Sequence, residues 1–242
     1  MAPPTTKRRT RPANRASKRR PRWRRYVLWA IGAVIVCFYG AVILSLVLLR
    51  WIDPPTTSVQ MERRVESWFS SNPYRKRYTF VPLRSISPAF QHAVIAAEDA
   101  RFYQHHGFDW RQVEKAARQD LEGKRLRGAS TIDQQLVKNL FLTTSRSIVR
   151  KAIEATIVPL VEVILGKQRI LELYLNVVEW GPPGIYGAQA SAEYWYHVPA
   201  ARINRDQGAR LAAILPAPHR RHPANMTQYS NVILGRMRQA GW

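Results

Sequence analysis

The sequence predicts an all-α protein, a helical domain behind a single N-terminal membrane-crossing helix. Three observations predict this class. Residues 26–49 contain no charged side chain. Beyond residue 53, apolar positions recur at helical spacing between recognisable helix starts. Strand-like runs are nearly absent; only residues 78–82 read as one, and there is no internal repeat.

Each element can be justified in chain order. Residues 1–25 are rich in Pro, Arg and Lys, with 11 Lys/Arg and almost no large apolar residue. Such a segment cannot bury enough surface to fold, so a disordered basic tail is expected. Residues 26–49 would make a helix about 36 Å long, enough to cross a hydrocarbon core of about 30 Å with some tilt. Trp23, Trp29 and Trp51 stand near its ends, where indoles favour the interface. A cleaved signal peptide would have a shorter apolar run and small residues after it; here Arg50-Trp51-Ile52-Asp53-Pro54 follows, which favours a retained anchor. The basic tail predicts a cytoplasmic N-terminus and a translocated remainder. Residues 50–60 read as a linker and 61–242 as the folded domain.

Within the domain, Ser87-Pro88 supplies an N-cap and a first-turn proline for a helix running to about Arg101. Gly107 breaks it. Asp109 with Gln112 starts the next helix, which should end near Gly123. Ser130 with Asp133 suggests another start, for a helix to about Phe141. A long helix from about Ser147 meets Pro159, which should kink or divide it, and Gly166 should end it. Residues 167–177 place Ile170, Leu171, Tyr174 and Leu175 on one face. Gly181-Pro182-Pro183-Gly184 forces a loop. Helices over 188–196, 205–215 and 227–239 complete the chain, the second capped by Asn204 with Gln207.

The net charge of +22 suggests an anionic partner: nucleic acid, a phosphate-bearing substrate or lipid headgroups. Residues 1–52 carry 12 Lys/Arg and no acid, leaving 26 basic against 16 acidic residues beyond them. Half of the excess therefore belongs to the N-terminus. Cys37 is the only cysteine, so no intrachain disulfide forms and the redox compartment stays open.

Several residues could carry chemistry. Glu98 follows Val94-Ile95-Ala96-Ala97, at the edge of an apolar helix face where a carboxyl's pKa rises toward neutrality. The bland alternative is a rim residue or ion-pair partner. In GASTIDQQLVKN (128–139), a glycine runs through Ser130 and Thr131 into a helix, which offers N–H groups to a phosphate. Arg125, Arg127 and Lys138 add positive charge. The alternative is an ordinary capped helix with Gln134 and Gln135 in solvent. Arg146, Arg150 and Lys151 precede Glu154; Arg150 and Glu154 have the spacing of a simple helix ion pair. His105-His106 with Asp109 lacks a second cluster to complete a metal site.

Taken together, EDARFYQHHGFDW, GASTIDQQLVKNLFL, RKAIE and ILELYLNVVEWG…GIYGAQASA occur in the order found in peptidoglycan glycosyltransferases. The resemblance spans about residues 54–237 and is nearest to the monofunctional, membrane-anchored biosynthetic transglycosylases of Gram-negative bacteria. No Ser-x-x-Lys of a transpeptidase is present. The resemblance implies a partly lysozyme-like domain with a small membrane-associated lobe. The implied activity is polymerisation of lipid II, with release of undecaprenyl pyrophosphate. It makes Glu98 the general base, with Asp99, Phe102 and His106 supporting it. It assigns the pyrophosphate to Lys138, Arg146 and Arg150, and the donor site to Ser130, Thr131, Gln134 and Asn139. Glu154 would orient the donor or hold a divalent cation such as Mg2+; no other cofactor is implied.

The implied partners are lipid II, the growing glycan chain, membrane lipids and other cell-wall synthesis proteins, with no nucleic acid. The implied location is the bacterial inner membrane, with the catalytic domain periplasmic. Four features depart from the family pattern: Asp133 in place of Thr or Ser, Ala129 in place of a second glycine, Pro159, and one extra residue at 181–184. A peptidoglycan-cleaving enzyme of related fold, a catalytically silent scaffold and a tethered nucleic-acid binder are the rival readings.

Overall fold

The computed structural model describes residues 22–70, 74–121 and 130–242. The basic tail up to residue 21, the helix end near Gly123, and Arg125, Arg127 and Ala129 lie outside the described residues. The chain divides into two compact units, Met1–Ala41 and Val42–Trp242.

Helix α1 (Arg22–Leu49) runs through the first unit and into the second. Over Trp23–Leu49 it is long and apolar enough to cross a membrane. Leu28, Trp29, Val34 and Val36 are all exposed, an apolar surface that water would not favour on every side. Its last two turns belong to the second unit, where Val42 and Leu46 are buried. Arg169 fastens the exit: its guanidinium donates to Leu49 O at 2.8 Å and pairs with Asp53 at 2.8 Å.

The second unit is helical, as expected. It holds α2 (Ser58–Ser67), α3 (Pro88–Glu98), α4 (Trp110–Leu121), α5 (Ile132–Phe141), α6 (Ile148–Val177), α7 (Gly187–Tyr196), α8 (Arg205–Ile214) and α9 (Thr227–Gln239). The strand expected over 78–82 shrinks to β1 (Arg77–Tyr78), which pairs in parallel with β2 (Ile185–Tyr186). The rest of that stretch is claimed by α6: Asn176, fully buried, accepts from Val81 N and donates to Val81 O, both at 2.9 Å. A side chain thus supplies the pairing a strand would have supplied.

Two helix layers build the core. In one, α3 packs on α8 and α9, with Phe90, Val94 and Ile95 against a face that includes Leu211 and Ile233. Gly208 permits the close crossing, since a Cβ there would lie 3.1 Å from Phe90 Cα. In the other, α5 packs on α6 through Ile132, Leu136, Ile157, Val161 and Leu171. Trp180, also fully buried, meets Phe90 edge-on at 5.0 Å.

Three local expectations change. Pro159 does not divide the long helix; the break falls at Gly166, where it was expected, with a φ of 72° that no neighbouring residue in α6 shares. The α3 helix stops at Glu98 rather than Arg101, because Asp99 leaves the helical conformation and its side chain turns to other partners. The N-cap of α5 is Thr131 with Gln134, not Ser130 with Asp133. The caps at Ser87 and at Asn204 with Gln207 form as read.

Candidate active site

The C-terminus of α3 and the first turns of α5 meet at Glu98, joined by Tyr174 from the last turns of α6. Its carboxylate accepts from Gln135 Nε2 at 2.7 Å, and Gln135 Oε1 in turn accepts from Tyr174 OH at 2.9 Å. Burial raises the Glu98 pKa, while the Gln135 hydrogen bond and the Lys138 charge oppose the rise. Gln135, which the alternative reading of the 128–139 segment placed in solvent, is therefore the contact that orients the acid. Its position one residue beyond the capping Gln134 already turns it toward another face of α5, but nothing in the sequence says which face meets Glu98.

From α9, Arg236 Nη1 donates to Ala96 O at 3.1 Å and to Ala97 O at 3.5 Å. It caps the carbonyls that α3 leaves open beside Glu98. Sequence reasoning missed it, because 140 residues separate Arg236 from Ala96.

Asp99 does not hydrogen-bond Glu98. One of its oxygens accepts from Ile132 N at 3.1 Å, the first helical N–H of α5, and both lie 2.9 Å from His105 Nε2. It joins the end of α3 to the start of α5 and so fixes Glu98 indirectly. Of the histidine pair, His105 is the buried member and His106 is exposed. Phe102 is buried, with the Lys167 ammonium 4.3 Å from its ring centroid.

Thr131 and Gln134 form a reciprocal capping box, and Thr131 Oγ1 also donates to Gly107 O at 2.7 Å. Gly107 has φ +80°, and a Cβ would meet Val158 Cγ1 at 2.5 Å, so no other residue fits that junction. Asn139 Nδ2 donates to Gln135 O at 2.7 Å and is buried. These three polar side chains build the wall of the site from within. Ser130 accepts from Lys151 Nζ at 3.3 Å.

Glu154 is buried and engaged by two cations, Arg150 Nη1 at 2.7 Å and Lys151 Nζ in a closer contact. The i,i+4 pair read from the sequence forms, and Lys151 joins it. One carboxylate oxygen faces each cation. Lys138 lies within electrostatic reach of both Glu98 and Glu154, and burial lowers its pKa despite them. Arg146 is exposed on the segment between α5 and α6. The site therefore sets one half-buried carboxyl against a cluster of cations that a single internal acid does not neutralise.

Asp133, the departure that threatened a phosphate site, points away from it. Its side chain is fully buried and pairs with Lys167 at 3.2 Å; Lys167 also holds Glu162 at 2.5 Å, and Glu162 accepts from Gly107 N at 2.7 Å. Burial, with Glu162 competing for the same ammonium, pushes Asp133 up to about 7. Asp99, His105 and Asp133 each bring one possible ligand atom within 4.8 Å of the others. The Lys167 ammonium, paired with Asp133, supplies positive charge beside this cluster.

Comparison with known proteins gives consistent results. A profile of the family described as Transglycosylase matches residues 64–238. The chain is 43% identical over 192 residues to "Biosynthetic peptidoglycan transglycosylase" of Pseudomonas entomophila, covering 79% of this chain and 81% of that protein. The protein of the same name from Pseudomonas aeruginosa is 39% identical over 218 residues, 90% of each chain. One from Pseudomonas putida is 46% identical over 179 residues, 74% of this chain and 75% of that one.

Proposed function

The chain belongs to the transglycosylase family, and from that premise we propose how it acts as a peptidoglycan glycosyltransferase in cell-wall biosynthesis. It polymerises lipid II by inverting transfer. The 4-hydroxyl oxygen of the acceptor N-acetylglucosamine attacks the anomeric carbon of the donor N-acetylmuramic acid. Its proton passes to the Glu98 carboxylate as the new glycosidic bond forms. The anomeric C–O bond to pyrophosphate breaks on the opposite face, and undecaprenyl pyrophosphate leaves as the anion. The logic is that of an inverting glycosidase with a sugar hydroxyl in place of water.

The observation that carries this reading is the pairing of Glu98 with unneutralised cations. A half-buried carboxyl with a raised pKa can accept a proton near neutral pH. The leaving pyrophosphate needs charge stabilisation, and Lys138, Arg150 and Lys151 offer it around Glu154, with Arg146 at the rim. In this role Glu154 holds Arg150 and Lys151 in place, and the substrate phosphates take their remaining N–H donors. A cleaving enzyme would have no pyrophosphate to stabilise, so the cation cluster favours synthesis. No step requires a metal held by this chain.

The helix α1 anchors the chain in the bacterial inner membrane, with the N-terminus cytoplasmic and the domain periplasmic. A substrate whose lipid tail stays in the bilayer then meets the site by diffusion in two dimensions. Other cell-wall synthesis proteins are expected alongside it. The test is the product: full-length protein given labelled lipid II should yield long glycan strands and leave intact sacculi undigested. Soluble muropeptides from sacculi, with no polymer from lipid II, would overturn the proposal.

A further inference from the structure

Away from Glu98, a groove of about 890 Å³ opens between α2 and the segment leading into β1. Its polar side is cationic: Arg64, Arg75 and Lys76 line it, and no carboxylate does. The guanidinium groups of Arg64 and Arg75 have no hydrogen-bond or ion-pair partner among the described residues, although both lie on a surface where acids elsewhere pair with arginines. Lys76 donates to Pro55 O at 2.9 Å, and burial together with the Arg64 charge lowers its pKa. Three like charges are thus gathered with nothing of opposite sign to hold them, which costs energy unless an anion joins them.

A second, independent feature lies in the same wall. Gln60 is 1% exposed, and neither its Oε1 nor its Nε2 has a partner. The other wall is apolar and open: Met61, Val65 and Trp68 are 53%, 46% and 70% exposed along one face of α2. The groove also has a defined position. Pro55 lines it, six residues beyond the end of α1, a reach of at most about 20 Å.

We propose that this groove is a binding site for an anionic glycerophospholipid of the anchoring membrane. The phosphodiester sits among Arg64, Arg75 and Lys76, and an acyl chain lies along Met61, Val65 and Trp68. Charge complementarity selects an anionic headgroup, the apolar wall selects a lipid over free phosphate, and the short stretch of chain from α1 to Pro55 keeps such a lipid within reach. The proposal rests on α1 being a membrane anchor; it does not depend on the roles given to Glu98 or Glu154.

The experiment uses the full chain in phosphatidylcholine nanodiscs doped with a photoactivatable phosphatidylglycerol or, in parallel, the matching photoactivatable phosphatidylcholine. Adducts are mapped by mass spectrometry. The expected result is adducts on residues 61–68 from the glycerol lipid in excess over the choline lipid. Arg64→Ala with Arg75→Ala should reduce them, by about five-fold for each arginine removed. Polymerisation of lipid II by that double variant in detergent should match wild type, which shows that it folds. Equal labelling by the two probes, labelling that survives the double substitution, or displacement of the probe from 61–68 by lipid II would each overturn the proposal. The last outcome would make the groove a substrate subsite.

Discussion

Glu98 and Gln135 make the pH dependence of the reaction predictable at the scale of single residues. A general base works ionised, so the rate should rise with pH through the Glu98 pKa. The Gln135 hydrogen bond lowers that pKa. Gln135→Leu should therefore raise it and move the acidic limb of the pH–rate profile to higher pH, most visibly as a loss of rate on the acid side. An unmoved limb would detach Gln135 from the base. Lys138→Met should cost about 10²–10³-fold in kcat with a smaller change in KM, because its charge matters most as the leaving group departs. An effect on KM alone would make Lys138 a binding residue only. The identity of these residues is unevenly legible in the sequence. Glu98 and Glu154 can be picked out from motif order and apolar context. Gln135, His105 and Arg236 cannot, because their roles depend on which helix faces which, a property of packing rather than of spacing.

At the scale of elements, the ion cluster Asp133–Lys167–Glu162 joins α5, α6 and the Gly107 turn. Lys167→Met would leave two buried carboxylates with no cation, a loss of about 3–5 kcal/mol. A clear drop in the melting temperature should follow; an unchanged one would show that the cluster holds nothing together. Helix starts were readable where a side chain meets its own next turn, as at Ser87 and Asn204. The one cap that failed, at Ser130 with Asp133, and the premature end of α3 were decided by partners distant in sequence: Asp133 pairs with Lys167. Asp99 illustrates this: it looked like a companion of Glu98 but is held by Ile132 N, 33 residues on. Asn176 shows the same for the shortened strand, since its amide replaces the pairing that residues 79–82 lack.

At the scale of the whole molecule, stability should carry the signature of Asp133. Its folded-state pKa is about 7, above the unfolded value of about 3.9, so the native state binds the extra proton between those values. Stability from this group is present at low pH and is lost as pH rises from about 4 to about 7. Denaturant unfolding of wild type against Asp133→Asn should show a steeper fall across that window for wild type. Parallel curves would place the titration elsewhere. The helical class and the apolar span were legible because composition and periodicity suffice for them. The active site required three helices to meet, and the orphaned Gln60 beside unpaired arginines appears only once α2 and the approach to β1 are set side by side.

The central claim is that Glu98 takes the acceptor proton. It is tested most directly by the rate of lipid II polymerisation with Glu98→Gln, which keeps the shape and removes the base. The account predicts a loss of about 10²–10⁴-fold with the fold and lipid II binding retained. Polymerisation at close to the wild-type rate would contradict it.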